Sequence, residues 1–110
     1  MPKKSMEVLT ESMFYVLMAF QSGPMCGTDV ADYIEKRTRG RLRMGPATLY
    51  TILGKFEKEH YIREIEVDGR RRTYLITEKG AGAYHSELKR LQFCVADALA
   101  EQQKEVLDNA

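Results

Sequence analysis

Residues 44–59 read MGPATLYTILGKFEKE. Pro46 suits the first turn of a helix, where the N–H it lacks would have no intrahelical partner. From there Leu49, Ile52, Leu53 and Phe56 follow the i, i+3, i+4, i+7 spacing that places them on one helical face. The opposite face presents Thr48, Thr51, Lys55 and Lys58, with Tyr50 at its flank, and carries no acid before Glu57. A helix with an apolar side for a core and a polar, acid-free side can lie against an anion.

The flanks extend this reading. Upstream, Arg39 to Gly45 follows neither the helical nor the strand period and alternates Arg39, Arg41 and Arg43, so it reads as a basic connecting loop. Downstream, Tyr61 to Val67 is rich in β-branched residues, though its alternation is imperfect, and it breaks at Asp68-Gly69, the dipeptide that most strongly signals a hairpin turn. Arg72 to Ile76 is the return strand, and Arg70 and Arg71 are left at the tip.

Two helices precede the basic loop. In Leu9 to Gln21, Met13, Val16, Leu17 and Phe20 share one face, while Phe14, Tyr15 and Met18 make the other side too apolar for open solvent. Ser22-Gly23-Pro24 stops that helix. The second is expected from Thr28 as N-cap, with Asp29 beside it, to Thr38, with Val30, Tyr33 and Ile34 inward, Arg37 at the rim and Gly40 as its stop. After the hairpin, Thr77 caps a last helix of about thirty residues, along which Tyr84, Leu88, Leu91, Val95, Leu99 and Val106 recur at helical spacing. Its length exceeds what one small domain can cover, so its seam is assigned to a second copy of the chain.

The expected fold is therefore mainly α with a small β-hairpin: a winged helix-turn-helix over residues 1–76 and a dimerisation helix over 77–110. A chain of 110 residues leaves no room for a second domain and an interdomain cleft. The formal charge of +1 conceals a division, because residues 1–75 hold 13 Lys+Arg against 10 Asp+Glu while residues 76–110 hold 4 against 6. No apolar run is long enough to cross a membrane, and Cys26 and Cys94 sit among apolar neighbours, which predicts a cytoplasmic protein with two reduced, mostly buried thiols. His60 and His85 match no metal-ligand spacing, and neither paired carboxylates, a nucleophile elbow nor a glycine-rich phosphate loop is present, so no enzyme, cofactor or metal is expected.

On DNA, each part has a physical role. The helix from Pro46 can enter the major groove with Thr48, Thr51 and Lys55 toward base edges and phosphates, Arg41 and Arg43 sit against the backbone, and the wing arginines Arg70, Arg71 and Arg72 reach backbone or the adjoining minor groove. The segment Met44-Gly45-Pro46-Ala47-Thr48-Leu49-Tyr50 resembles the entry to the recognition helix of the PadR family of transcriptional regulators, and Gly27 resembles the small residue opening that family's second helix. Arg72-Thr73-Tyr74-Leu75-Ile76-Thr77-Glu78-Lys79-Gly80 is similar to its second wing strand and the cap of its dimer helix. The resemblance spans nearly the whole chain and fits the short form with a single C-terminal helix.

It implies a homodimer built on the last helix packed against the first, which would involve Phe14, Met18, Leu88, Leu91, Val95 and Leu99, and it places Tyr50 at the DNA backbone. It also implies a palindromic double-stranded operator and repression relieved by a small aromatic or hydrophobic effector. Thr51 stands where many members carry proline, His60 where a glycine commonly ends the recognition helix, and the chain has no tryptophan with which to sandwich a flat ligand. The competing readings are a winged-helix protein-interaction module without DNA binding and a MarR-like sensor.

Overall fold

Thr10 is extended, and its hydroxyl oxygen accepts from the Met13 amide at 3.1 Å, so the first helix, α1, starts two residues later than expected and runs Glu11–Gln21. The computed structural model describes residues 9–108; the outer ends of the two expected segments, residues 1–8 and 109–110, lie outside the described residues. After α1 a two-residue strand, β1 (Met25–Cys26), leads directly into α2 (Gly27–Arg37). Cys26, not Thr28, is the N-cap of α2. Asp29, at the third helical position, turns back to accept from the Cys26 amide at 3.3 Å and its thiol at 3.2 Å.

α2 ends beyond its C-cap Thr38 with Arg39 and Gly40 at φ 54° and 77°, and their amides reach back to the carbonyls of Lys36 and Glu35 at 3.2 and 2.8 Å. Helix α3 (Pro46–Lys58) closes in the same manner, with His60 at φ 61° and the amides of His60 and Tyr61 bonded to the carbonyls of Glu57 and Phe56. The four apolar residues expected inward on α3, Leu49, Ile52, Leu53 and Phe56, are all buried. Val16, Leu17 and Phe20 of α1 and Val30 and Ile34 of α2 complete the three-helix core with Phe56.

The hairpin consists of β2 (Ile62–Asp68) and β3 (Arg71–Ile76), and β1 pairs with β3 to give a three-stranded antiparallel sheet in the order β1-β3-β2. Two residues are too few to show a period, which is why β1 left no mark in the sequence pattern. The imperfect alternation of the outgoing strand is a bulge: Glu64 pairs with Tyr74 and Glu66 with Thr73, which leaves Ile65 without a strand partner. The turn is centred one residue later than expected. Asp68 still pairs with Arg71, and Gly69, at φ 63°, occupies the first central position, where a two-residue hairpin favours glycine.

The last helix, α4 (Glu78–Asp108), is clasped to the end of α3. The Thr77 amide donates to the Tyr61 carbonyl at 2.9 Å, the Thr77 hydroxyl donates to the His60 carbonyl at 2.6 Å, and its oxygen accepts from the Gly80 amide at 3.0 Å. Gly80 has to be glycine, because a Cβ there would stand 2.1 Å from the Tyr61 carbonyl oxygen. One turn on, Tyr84 stacks on Phe14 with ring centroids 5.1 Å apart and planes 14° from parallel. Phe14, expected at the seam between chains, is therefore buried at 9% exposure within its own chain.

Cover stops at Leu91. Every described residue from Gln92 to Asp108 is exposed, among them Phe93, Val95, Leu99, Val106 and Leu107. Cys94, expected to be buried like Cys26, lies on this bare half with its Sγ 3.8 Å from a nitrogen of Arg90. Among the described residues no helix is long and apolar enough to cross a membrane.

Candidate nucleic-acid interface

The buried stripe of α3 forces its other face outward. Thr48, Thr51 and Lys55 are exposed, and Tyr50 is 63% exposed. The Thr51 hydroxyl donates to the Ala47 carbonyl at 2.9 Å, which spends its proton within the helix and leaves its oxygen as an acceptor toward solvent. No carboxylate interrupts this face before Glu57.

The wing stands beside another flank of α3. Tyr50, Leu53, Gly54 and Glu57 of α3 and Arg70, Arg71, Arg72 and Tyr74 of the hairpin line one groove of about 600 Å³, together with Cys26, Gly27 and Thr28 where β1 passes into α2. Of the residues named from the sequence, this groove brings together Tyr50, Arg70, Arg71 and Arg72; Thr48, Thr51 and Lys55 are not among its lining residues. Arg41 and Arg43 are not among its lining residues; they sit against the outer sides of α1 and α2.

Four of these five arginines have an internal carboxylate within ion-pair reach. Arg41 lies 3.5 Å from Glu11 and donates to the Tyr15 hydroxyl at 2.9 Å; that hydroxyl bond, ahead of the Glu11 charge, holds its guanidinium pKa above the ordinary value. Arg43 pairs with Glu35 at 3.2 Å, Arg71 with Asp29 at 3.6 Å and Arg72 with Glu64 at 3.5 Å. The Asp29 carboxyl is held below its usual range first by the thiol and amide of Cys26 and then by Arg71. All four pairs have at least one well-exposed member, and such contacts contribute at most about 1 kcal/mol each, so they orient the guanidinium groups without locking them.

Sequence reasoning missed these acids and the tyrosine. Glu11, Tyr15 and Asp29 lie well away along the chain from the arginines they meet, Glu35 faces Arg43 only because α2 reverses at Gly40, and Glu64 reaches Arg72 across the hairpin, where the bulge sets the register. Only the Glu64–Arg72 pair lies within a local pattern, the hairpin itself. Gly54 was also missed; a glycine inside a helical stripe is its one visible signal.

A three-helix core, a second helix leading through a loop into an exposed polar helix, and an arginine-tipped hairpin beside it define a winged helix-turn-helix protein. Residues 16–86 match the model of the "Transcriptional regulator PadR-like family", and the chain belongs to that family. It is 33% identical over 70 residues to an uncharacterized 37.1 kDa protein in transposon TN4556 of Streptomyces fradiae; the match covers 64% of this chain, and the chain spans only 20% of the length of that curated relative.

Among solved structures it is similar to a transcriptional regulator from Clostridium thermocellum, with a TM-score of 0.72 and 22% identity over 80% of this chain and 89% of that one. It is also similar to Bacillus subtilis PadR in complex with operator DNA, with a TM-score of 0.64 and 19% identity over 72% of this chain and 47% of that one. At these identities the two structures bear on the fold.

Proposed function

We propose that the chain is a sequence-specific DNA-binding repressor that acts as a homodimer on a palindromic operator. The observation that carries this reading is that α3 turns Thr48, Thr51 and Lys55 outward while its adjoining flank, at Tyr50, Leu53 and Gly54, lines one groove with the arginines of the wing. In this reading Thr48, Thr51 and Lys55 meet base edges and flanking phosphates, Tyr50 and Arg70 to Arg72 meet the backbone and minor groove, and Arg41 and Arg43 close on phosphates beside α3. Membership of a family of transcriptional regulators supports it, as does the likeness of fold to a PadR bound to operator DNA.

In this reading residues 1–76 serve as the DNA-binding unit and residues 77–110, with α4, as the dimerisation helix. Val95 and Leu99, 57% and 59% exposed, and the half-buried Met18, Leu88 and Leu91 form the seam; Phe14 supports it from beneath through Tyr84. Relief of repression is assigned to a small, largely apolar effector. A cavity of about 290 Å³ between α1 and α4, walled by Leu9, Phe14 and Leu91 with Glu87 and Arg90 at its polar side, supports that assignment. Tyr15, which holds Arg41, lines the same cavity, so a ligand there would bear on a phosphate-facing residue.

A second reading, a winged-helix protein-interaction module, draws on the carboxylates that already occupy Arg41, Arg43, Arg71 and Arg72. Selection of bound fragments from genomic DNA at moderate salt, repeated with Arg70→Glu and Arg71→Glu combined, separates the two. The repressor reading expects a recovered palindrome, weaker binding by the variant, and a slope of log affinity against log salt that falls by about 0.9 for each phosphate no longer neutralised. Recovery of no enriched sequence, or equal binding by parent and variant, favours the interaction module.

A further inference from the structure

Most glycines of the chain have an evident reason in the fold, but Gly54 has none. It lies in the interior of α3, is exposed, has no positive φ, and a Cβ built on it meets nothing within 4 Å. A glycine in the interior of a helix weakens it relative to alanine, and here no turn, crossing helix or carbonyl contact accounts for that cost. The same holds of Gly82 in α4, but Gly82 is outside the groove, whereas Gly54 lines it.

The consequence of the missing side chain is local. A helical residue covers the turn N-terminal to its own Cα, so a side chain at 54 would lean over Tyr50, one turn back. With glycine there, Tyr50 and the α3 backbone at position 54 line the groove together with Arg70 to Arg72. An occupant of this space has to be anionic toward the arginines and flat or apolar toward Tyr50, and has to approach the helix backbone more closely than any side chain would allow. The strand of duplex DNA separating the major groove, entered by α3, from the minor groove, reached by the wing, has that chemistry and that path. Glu57, one turn beyond Leu53, lines the same groove, and a phosphate directly beside it is unfavourable.

We propose that Gly54 is a close-approach site for DNA: one sugar–phosphate strand is seated between α3 and the wing and crosses the helix where its side chain is missing. The inference rests on the DNA-binding reading above and adds a residue that acts by its absence of bulk, whereas the arginines act by charge.

The test compares Gly54→Ala, Gly54→Leu and Gly82→Ala with the parent, using the operator selected by the parent. Gly54→Ala is expected to raise Tm by about 4–8 °C, the size of an alanine-for-glycine gain in a chain of this length. Its operator affinity falls about tenfold, that of Gly54→Leu falls further, and the salt slope stays as in the parent because the same phosphates remain neutralised. Gly82→Ala gains stability with operator affinity unchanged. Gly54→Ala and Gly54→Leu proteins that are stabilised and bind the operator as the parent does overturn the close-approach site alone. A parent that selects no DNA overturns the DNA reading and this proposal with it.

Discussion

Replacing Gly80 with alanine should destabilise the protein, although alanine is the better helix former. The structure supplies the reason. The Cβ would lie 2.1 Å from the Tyr61 carbonyl oxygen and 3.0 Å from an Ile76 side-chain carbon, where ordinary contact begins at 3.4 Å. The carbonyl cannot swing aside cheaply, since it belongs to the backbone that closes α3 and accepts the Thr77 amide at 2.9 Å. Relief requires α4 to move off the sheet, which strains or breaks the Thr77 clasp. Overpacking of this kind costs about 1–3 kcal/mol, the weakened hydrogen bond adds about 1 kcal/mol, and helix propensity returns about 1 kcal/mol, for a net loss of about 1–3 kcal/mol. Gly82→Ala, two residues on, meets nothing within 4 Å and should gain up to about 1 kcal/mol. Urea unfolding at one fixed protein concentration reads both: with m of about 1–2 kcal/mol/M, the Gly80→Ala midpoint drops by about 1 M while that of Gly82→Ala rises. A Gly80→Ala protein as stable as the parent would refute the argument that this glycine exists to admit the Tyr61 carbonyl.

His60 holds a left-handed φ of 61° that glycine adopts without a Cβ clash, so His60→Gly should raise stability by about 0.5 kcal/mol after the extra chain entropy of glycine is deducted; an unchanged or lower Tm would show that the histidine side chain contributes more than its backbone strain removes. Glu87 is buried, and its carboxyl is held below the usual range first by the hydrogen bond from Arg90. A depressed folded value means that its contribution is complete above the ordinary carboxylate range and is lost as pH falls from about 5 through the folded value, so Glu87→Gln should flatten that part of the acid limb in a pH series of melts, and an unaltered limb would count against the pairing. Leu91→Glu combined with Val95→Glu should give monomers with weakened operator binding, and sedimentation showing an intact dimer would place the seam elsewhere.

What the sequence makes legible follows from the range of each interaction. The stripe of α3, the apolar face of α1 and the wing tip are written in residues close together along the chain, and all are readable from it. The hairpin centre is shifted by one residue from the expected place because Asp-Gly and Gly-Arg compete for the same turn, and the choice depends on whether Asp68 pairs with Arg71. The N-cap of α2 falls on Cys26 rather than Thr28 because β1, itself set by pairing with β3, brings the chain extended to that point. Phe14 finds its cover within its own chain because its partner is Tyr84, on a helix at the far end of the sequence. The groove and most of the acids behind the arginines are likewise products of tertiary contact alone.

Those acids bear on how a chain of net charge +1 can engage a polyanion. Were the arginines bare, binding would gain their full Coulomb attraction at any phosphate, with little regard to sequence. Here Arg41, Arg43, Arg71 and Arg72 each stand within 3.6 Å of a carboxylate, so in the proposed DNA-binding mode seating on DNA would exchange one anion for another and gain only the difference. Non-specific attraction is thereby reduced, while the guanidinium groups are kept extended at the surface and spared part of their ordering entropy. In that mode the weight of binding would shift to the exposed Thr48, Thr51 and Lys55 face of α3, which no carboxylate interrupts before Glu57. If the chain acts as proposed, choosing one operator among many similar sequences is better served by that division than by a higher net charge, since there only the α3 face would read base identity.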